Sequence, residues 1–198
     1  MDKKIDKNSI LKQLAENGYN VGFGAKKHFA TFDIIEKVPN AISLIVLLVG
    51  VGQLAYPNNH YNTGISTTLI MVSILALTIS SFNSEKEKYE KAGIELTKLF
   101  NELRALYYHV KNSNHEDFQV EFQQMNDVLN RYYSLSMSKQ IFTSDWYAHY
   151  KFFFQMQIEW INEQKKFSFW KDKIPKSFVI FLLFVILVVW CWIKIFKG

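Results

Sequence analysis

A chain of 198 residues with a net charge of +5 is long enough for one small domain, or for one domain plus membrane segments. Aromatic residues make up 16% of it, which is high for a water-soluble domain, and the single cysteine, Cys191, excludes an intrachain disulfide. The lysines are dispersed and mixed with Glu, so no purely basic stripe points to nucleic acid, while an anionic membrane surface remains a match for the charge.

The chain opens on "MDKKIDKNSILKQLAENG", which has none of the apolar character of a cleavable leader. Further on, "AKKHFATFDIIEKV" sets Phe29, Phe32 and Ile35 beside Lys26 and Lys27. That pattern predicts an amphipathic helix lying at the cytoplasmic membrane surface.

From Val38 to Ser84 there is then no Asp, Glu, Lys or Arg over 47 residues. Average composition would put about ten charges there. Two apolar runs fill the stretch, Val38 to Tyr56 and Ile65 to Phe82, of 19 and 18 residues. Both lie near the short end of the roughly 17–25 residues that cross a bilayer as a helix. A soluble core helix carries a polar stripe, and these runs have none. So short a chain also has little protein with which to cover them. Between them, "YPNNHYNTGI" reads as a tight extramembrane turn built on Pro57, Asn58, Asn59, Asn62 and Gly64. Tyr56 and Tyr61 suit a lipid–water interface.

Small and polar residues recur inside the hairpin. Ser66, Ser73 and Ser80 are seven apart, as are Ser43 and Gly50, with Gln53 three beyond. Two readings stay open. One is close helix packing through small residues; the other is a polar stripe that lines a pore when subunits assemble. Gln53 is the sharpest of the set, because a carboxamide facing lipid is costly.

Residues 84–111 follow with no proline, and one long helix is predicted to leave the second apolar run. Tyr89, Leu96, Leu103 and Val110 repeat every seven, and Leu99 and Leu106 fall on the companion positions. This heptad seam is a candidate oligomer interface. Next, Asn114 is a plausible N-cap for a helix carrying Phe118, Phe122, Met125, Leu129 and Tyr132 and running to about Ser138. Ser144 is the predicted cap of a third helix over 145–163. Its Trp146, Tyr150 and Phe153 form a broad aromatic face, read either as core or as a partner surface. Pro175 precedes a third apolar run, Ser177 to Ile193, of 17 residues. Beyond it, Lys194 and Lys197 beside Trp190 and Trp192 suit snorkelling at an interface.

The organisation predicted is an all-α membrane protein. Residues 1–37 form a cytoplasmic amphipathic segment and 38–83 a transmembrane hairpin. Residues 84–173 form a cytoplasmic helical bundle or coiled coil, and 174–198 a third transmembrane helix. Residues 1–37 hold seven lysines, the turn 57–64 no Lys or Arg, and 83–176 fourteen. That bias places the N-terminus and the central helices inside and the turn outside.

No catalytic pattern accompanies this layout. The sequence has neither a G-x-x-x-x-G-K-[ST] loop nor a G-x-S-x-G elbow, and none of its five histidines has a ligand-spaced partner. Gly22 and Gly24 in "NVGFGAKKH" do not make a dinucleotide fingerprint. No catalytic, cofactor-binding or metal-ligating residues are expected, and the protein is not expected to be an enzyme.

The hairpin that passes into "SSFNSEKEKYEKAGIELTKLFNELRALYYHV", followed by "HYKFFFQMQIEWINEQKKFSFWKDKIPKS", resembles the SLATT domains, the SMODS- and SLOG-associating two-transmembrane effector domains. The resemblance spans roughly residues 15–195 and rests on architecture and on runs such as "NELRALY" and "WKDKIPKS". It implies an oligomeric effector of a bacterial anti-phage system, seated in the inner membrane, that forms a pore when an associated sensor protein or nucleotide signal is triggered. The competing expectation is a membrane anchor that never conducts and recruits a cytoplasmic partner through the aromatic helix.

Overall fold

The computed structural model describes residues 4–197; side chains at 192, 193 and 195–197, including the expected snorkelling groups Trp192 and Lys197, lie outside the described part. Asp6 starts the first helix. Its Oδ1 accepts the backbone N–H groups of Asn8 and Ser9, both at 3.0 Å, satisfying donors that a helix start leaves open. Helix α1 then runs from Lys7 to Ala55, 49 residues or about 70 Å. The amphipathic segment and the first apolar run, expected as separate elements, are therefore one helix. Pro39 sits inside it. Proline removes one backbone donor and crowds the preceding turn. Here Asn40 Nδ2 donates to the Glu36 carbonyl at 2.9 Å and Ser43 Oγ to the Pro39 carbonyl at 2.9 Å, so side chains tie the helix on both sides of the proline.

The first half of α1 turns its apolar face to protein. Ile10, Leu14, Val21 and Ala25 are fully buried, and Ile34 and Ile35 nearly so. The apolar face that suggested a lipid contact is spent on protein. Its main partner is α3, Lys86–Asn112. Between them α1 and α3 build the core, joined by Phe118 just before α4 (Gln119–Leu135), by Met125 and Val128 within it, by Phe152 and Phe153 from α5 (Ser144–Gln155), and by Trp160 and Ile161 from α6 (Glu159–Lys165).

A turn at 56–61 joins α1 to α2, Asn62–Ser80. Asn62 Nδ2 donates to the carbonyls of Tyr56 and Pro57, and Asn59 Oδ1 accepts the Tyr61 N–H, so the Asn-rich segment closes the hairpin as its composition predicts. The single helix predicted to leave the hairpin is interrupted. After Ser80 the chain makes a turn and a 3-10 helix, Asn83–Glu85, before α3 begins. No Gly or Pro marks this break in the sequence.

Other boundaries moved for identifiable reasons. Asn114 caps nothing; α4 starts after Phe118, and Asp117 instead accepts the Ile5 N–H at 3.1 Å, pinning the chain start. α4 ends at Leu135, short of Ser138. Ser144 is the first residue of α5, one past the cap position at Thr143, and its buried Oγ makes no hydrogen bond among the described residues. The long aromatic helix divides at 156–158 into α5 and α6, and α6 is ended by Lys166 at φ 50°. A four-residue helix α7, Phe169–Asp172, leads to α8, Lys176–Lys197. All elements among the described residues are helices. Two of them are long and apolar enough to cross a membrane, one in α1 and one beginning with α2.

Candidate functional site: the charge-free hairpin and the strap at its base

The outer surface of the hairpin is bare. Leu44, Leu47, Leu48 and Val51 on α1, and Ile70, Met71, Leu75 and Leu77 on α2, are all more than half exposed. Ala76 is the one buried residue of α2. An apolar surface this continuous is incompatible with water around a monomer, and lipid or other protein must cover it.

Of the six small and polar hairpin residues singled out by spacing, the structure brings two together. Gln53 Nε2 donates to Ser66 Oγ and to the Asn62 carbonyl, both at 3.0 Å, and Ser66 Oγ stands 3.4 Å from Gln53 Oε1. The costly carboxamide is satisfied across the two helices near the tip. Ser43 and Ser73 instead hydrogen-bond within their own helices, to the carbonyls of Pro39 and Leu69. Ser80 is exposed, and a Cβ added at Gly50 would meet open space. The seven-residue serine spacing is thus a common face whose members do not touch one another.

At the opposite end of the hairpin lies a polar cluster that periodicity did not reveal. His28 is 3% exposed, and both ring nitrogens are engaged. Nδ1 faces the Gly24 carbonyl at 2.7 Å, and Nε2 accepts the Met137 backbone N–H at 3.0 Å. These partners fix a neutral ring with the proton on Nδ1. Burial pushes the His28 pKa below its ordinary value; the Gly24 carbonyl opposes this and Lys27 adds to it. One turn on, fully buried Thr31 donates to Gln140 Oε1. From α3, Tyr89 OH donates to the Lys139 carbonyl at 2.7 Å. Three buried polar side chains on two helices therefore spend their bonds on one irregular segment, residues 137–141.

This segment is a strap across the base of the hairpin. Ile141 packs with Ile34, Ile35 and Tyr89, and Val38, Ile79, Phe82, Met137 and Tyr147 close over the same cluster. The Lys139 ammonium sits 4.5 Å from the centre of the Phe82 ring. The strap thus touches α1 just before Pro39 and the chain just after α2. Beside it, Asp33 pairs with Lys37 at 2.6 Å and with Lys151 of α5. Burial raises the Asp33 carboxyl, but the bonds from Lys151 and Lys37 outweigh it and hold the pKa below the usual range. Lys86 joins α3 to Glu36 of α1.

The heptad seam is used inside the chain. Tyr89, Leu96, Leu99, Leu103 and Val110 are at most 3% exposed, and half-buried Leu106 packs on the same core. Of the aromatic face, Phe153 is buried and Trp146 is half-buried, its Nε1 donating to Ser177 Oγ at 3.1 Å. Only Tyr150 remains open, 51% exposed and stacked on Phe154 at 5.6 Å.

The residues missed by sequence reasoning are His28 and Thr31. Their signal was present: polar residues in register with Ala25 and Ile35 on the apolar face of a helix. Among the described residues no three His, Cys, Asp or Glu side chains are placed to share a metal ion.

The family model described as SMODS and SLOG-associating 2TM effector domain 6 matches residues 5–182. No curated protein and no solved structure matches the chain.

Proposed function

We propose a membrane effector role for this chain, which belongs to the SMODS and SLOG-associating two-transmembrane effector domains. In this reading it sits in a bacterial inner membrane with its N-terminus and the α3–α6 domain in the cytoplasm. It assembles with copies of itself and opens a pore, or disrupts the bilayer, when a defence system's sensor protein or nucleotide signal triggers it. The family description supports the association with defence, and the distribution of lysines supports the orientation. Helix α8, of 22 residues or about 33 Å, is a third span in this reading.

One observation carries the pore reading: the Gln53–Ser66 pair bridges the two apolar, charge-free legs of the hairpin. A carboxamide there is retained at a cost unless it is satisfied. Rotation of α1 against α2 frees both groups to face a water-filled path between subunits. The strap at 137–141, which touches both legs of the hairpin, is the element through which a trigger on the α3–α6 domain reaches the membrane. The test is membrane potential in cells induced to express the chain with its triggering system active. Rapid depolarisation is expected for the wild type and a blunted response for Gln53→Leu. An unchanged potential in triggered wild-type cells would sink the pore reading.

Exposed Tyr150 and Phe154 favour a second reading, a non-conducting anchor that recruits a cytoplasmic partner. In that case Gln53→Leu leaves activity intact and Tyr150→Ala removes it.

A further inference from the structure

We propose that the cavity at the foot of α8 binds the phosphate headgroup of an anionic glycerophospholipid, whose acyl chains run along α8; this rests on α8 being embedded in the bilayer. The cavity, about 520 Å³, opens between α1, α5 and the connector from α6 to α8. Lys165, Lys171 and Lys176 line it. The connector as a whole, "KKFSFWKDKIPK" over residues 165–176, carries five lysines against one aspartate.

The two carboxylates at the cavity are already engaged. Asp145 pairs with Lys27 at 2.7 Å, and Asp172 Oδ2 accepts the Ser168 N–H at 2.8 Å. Lys165 lies over the Tyr19 ring at 5.2 Å. Neither Lys171 nor Lys176 makes an ion pair among the described residues. Two unneutralised cations therefore share one opening with the positive end of a 22-residue helix. That arrangement asks for an anion.

The other half of the site is apolar. Trp146, bonded to Ser177, meets Phe178 edge-to-face with ring centres 5.3 Å apart and lies tilted against Phe181 at 5.1 Å, and Phe142 reaches Phe181 at 6.4 Å. From there every residue from Val179 to Trp190 is exposed, around the whole circumference of α8. Phe169 and Trp170, 51% and 79% exposed, lie within the cationic connector. Aromatic rings and lysines at the start of an apolar helix are the composition of a lipid headgroup layer. A free phosphate compound would use only the cationic half and a neutral lipid only the apolar half. An anionic phospholipid matches both, in the order in which the chain presents them.

The test uses the full-length chain purified in detergent and offered equimolar phosphatidylglycerol and phosphatidylcholine, with retained lipid counted by native mass spectrometry. Phosphatidylglycerol is expected to be retained preferentially. Lys171→Gln and Lys176→Gln each lower that preference about fivefold, and Asp172→Asn, which removes the one like-charged group on the connector, raises it. Equal retention of the two lipids, or an unchanged preference in the double lysine variant, would overturn the proposal. Displacement of the lipid by glycerol phosphate at equal concentration would also overturn it, by identifying a site for soluble phosphates. A membrane-impermeant thiol reagent acting in vesicles on Val185→Cys, a mid-helix position, with Cys191→Ser, reads the embedding of α8 separately. Labelling of that mid-helix thiol overturns both the span and the lipid site; an unlabelled thiol with no lipid preference overturns the lipid site alone.

Discussion

His28 shows how much a single buried ring can organise. Its side chain holds two backbone groups at once, the carbonyl of Gly24 and the N–H of Met137, and it does so as a neutral ring. A proton added to Nε2 destroys the acceptor that Met137 needs. The groups facing the ring are Lys27 on its own helix, the uncharged Tyr89 phenol of α3, with ring centres 6.3 Å apart, and the strap itself. No anion among them rewards protonation. With the folded pKa below the unfolded one, the stabilisation is present above the ordinary histidine pKa of about 6.5 and is lost as pH falls below it. Hydrogen exchange in residues 137–141, corrected for the intrinsic pH dependence, is expected to quicken between pH 7.5 and about 5.5. In His28→Gln, whose Oε1 keeps an acceptor, that acid sensitivity is expected to disappear. An acid response that is the same in both proteins would remove His28 as its source. Gln53 is the residue whose importance could be read without a fold, because an uncharged but strongly polar group in a charge-free run stands out against its neighbours. For His28 the sequence shows a polar residue on an apolar helix face but does not disclose which distant N–H it will accept.

Helix α1 is one element with two solvents. Its first half is covered by protein and its second half, beyond Pro39, is bare and apolar. The close fit of the covered half depends on glycines that a helix would ordinarily penalise. A Cβ built on Gly18 lies 2.1 Å from the Trp160 ring, and one on Gly22 lies 2.8 Å from Phe100. Glycine to alanine inside a helix normally gains about 1 kcal/mol. At Gly18 the sign reverses, because Trp160 is 1% exposed and has nowhere to move. Gly18→Ala is expected to lose about 1–3 kcal/mol, the usual cost of overpacking. Denaturant unfolding of the detergent-solubilised protein measures it, and a gain in stability would show that α6 stands farther from α1 than this packing requires. The "GFG" motif that fails as a nucleotide fingerprint thus acts partly as a packing device. The heptad seam on α3 teaches the same lesson. Its period is real and its residues are buried, but the helix that fills it is α1 of the same chain. A seven-residue repeat states that a partner helix exists and leaves open which chain supplies it.

At the scale of the whole molecule, α5 and the strap hold the polar domain against the hairpin on one side and α8 on the other, through Ile141 and Tyr147 toward α1 and through Trp146 toward Ser177. This gives the proposed topology a direct check. A thiol placed at Asn59, in the hairpin turn, is expected to react with an impermeant reagent in intact spheroplasts, while one at Asn114, in the loop before α4, reacts only after lysis; both positions are exposed. The reverse pattern would invert the orientation. The sequence alone determined the all-helical composition, the charge-free hairpin with its Asn-rich turn, and the family resemblance now borne out by the match to residues 5–182. Each of these rests on local properties: hydropathy over a helix length, turn chemistry and residue order. Only the tertiary structure decided that the amphipathic N-terminal helix faces protein, that the heptad seam closes within the chain, and that a strap joined by His28, Thr31 and Tyr89 crosses the base of the hairpin. Those outcomes depend on which apolar faces meet and which distant backbone groups are left needing a partner, and neither is written in the spacing of residues along a single helix.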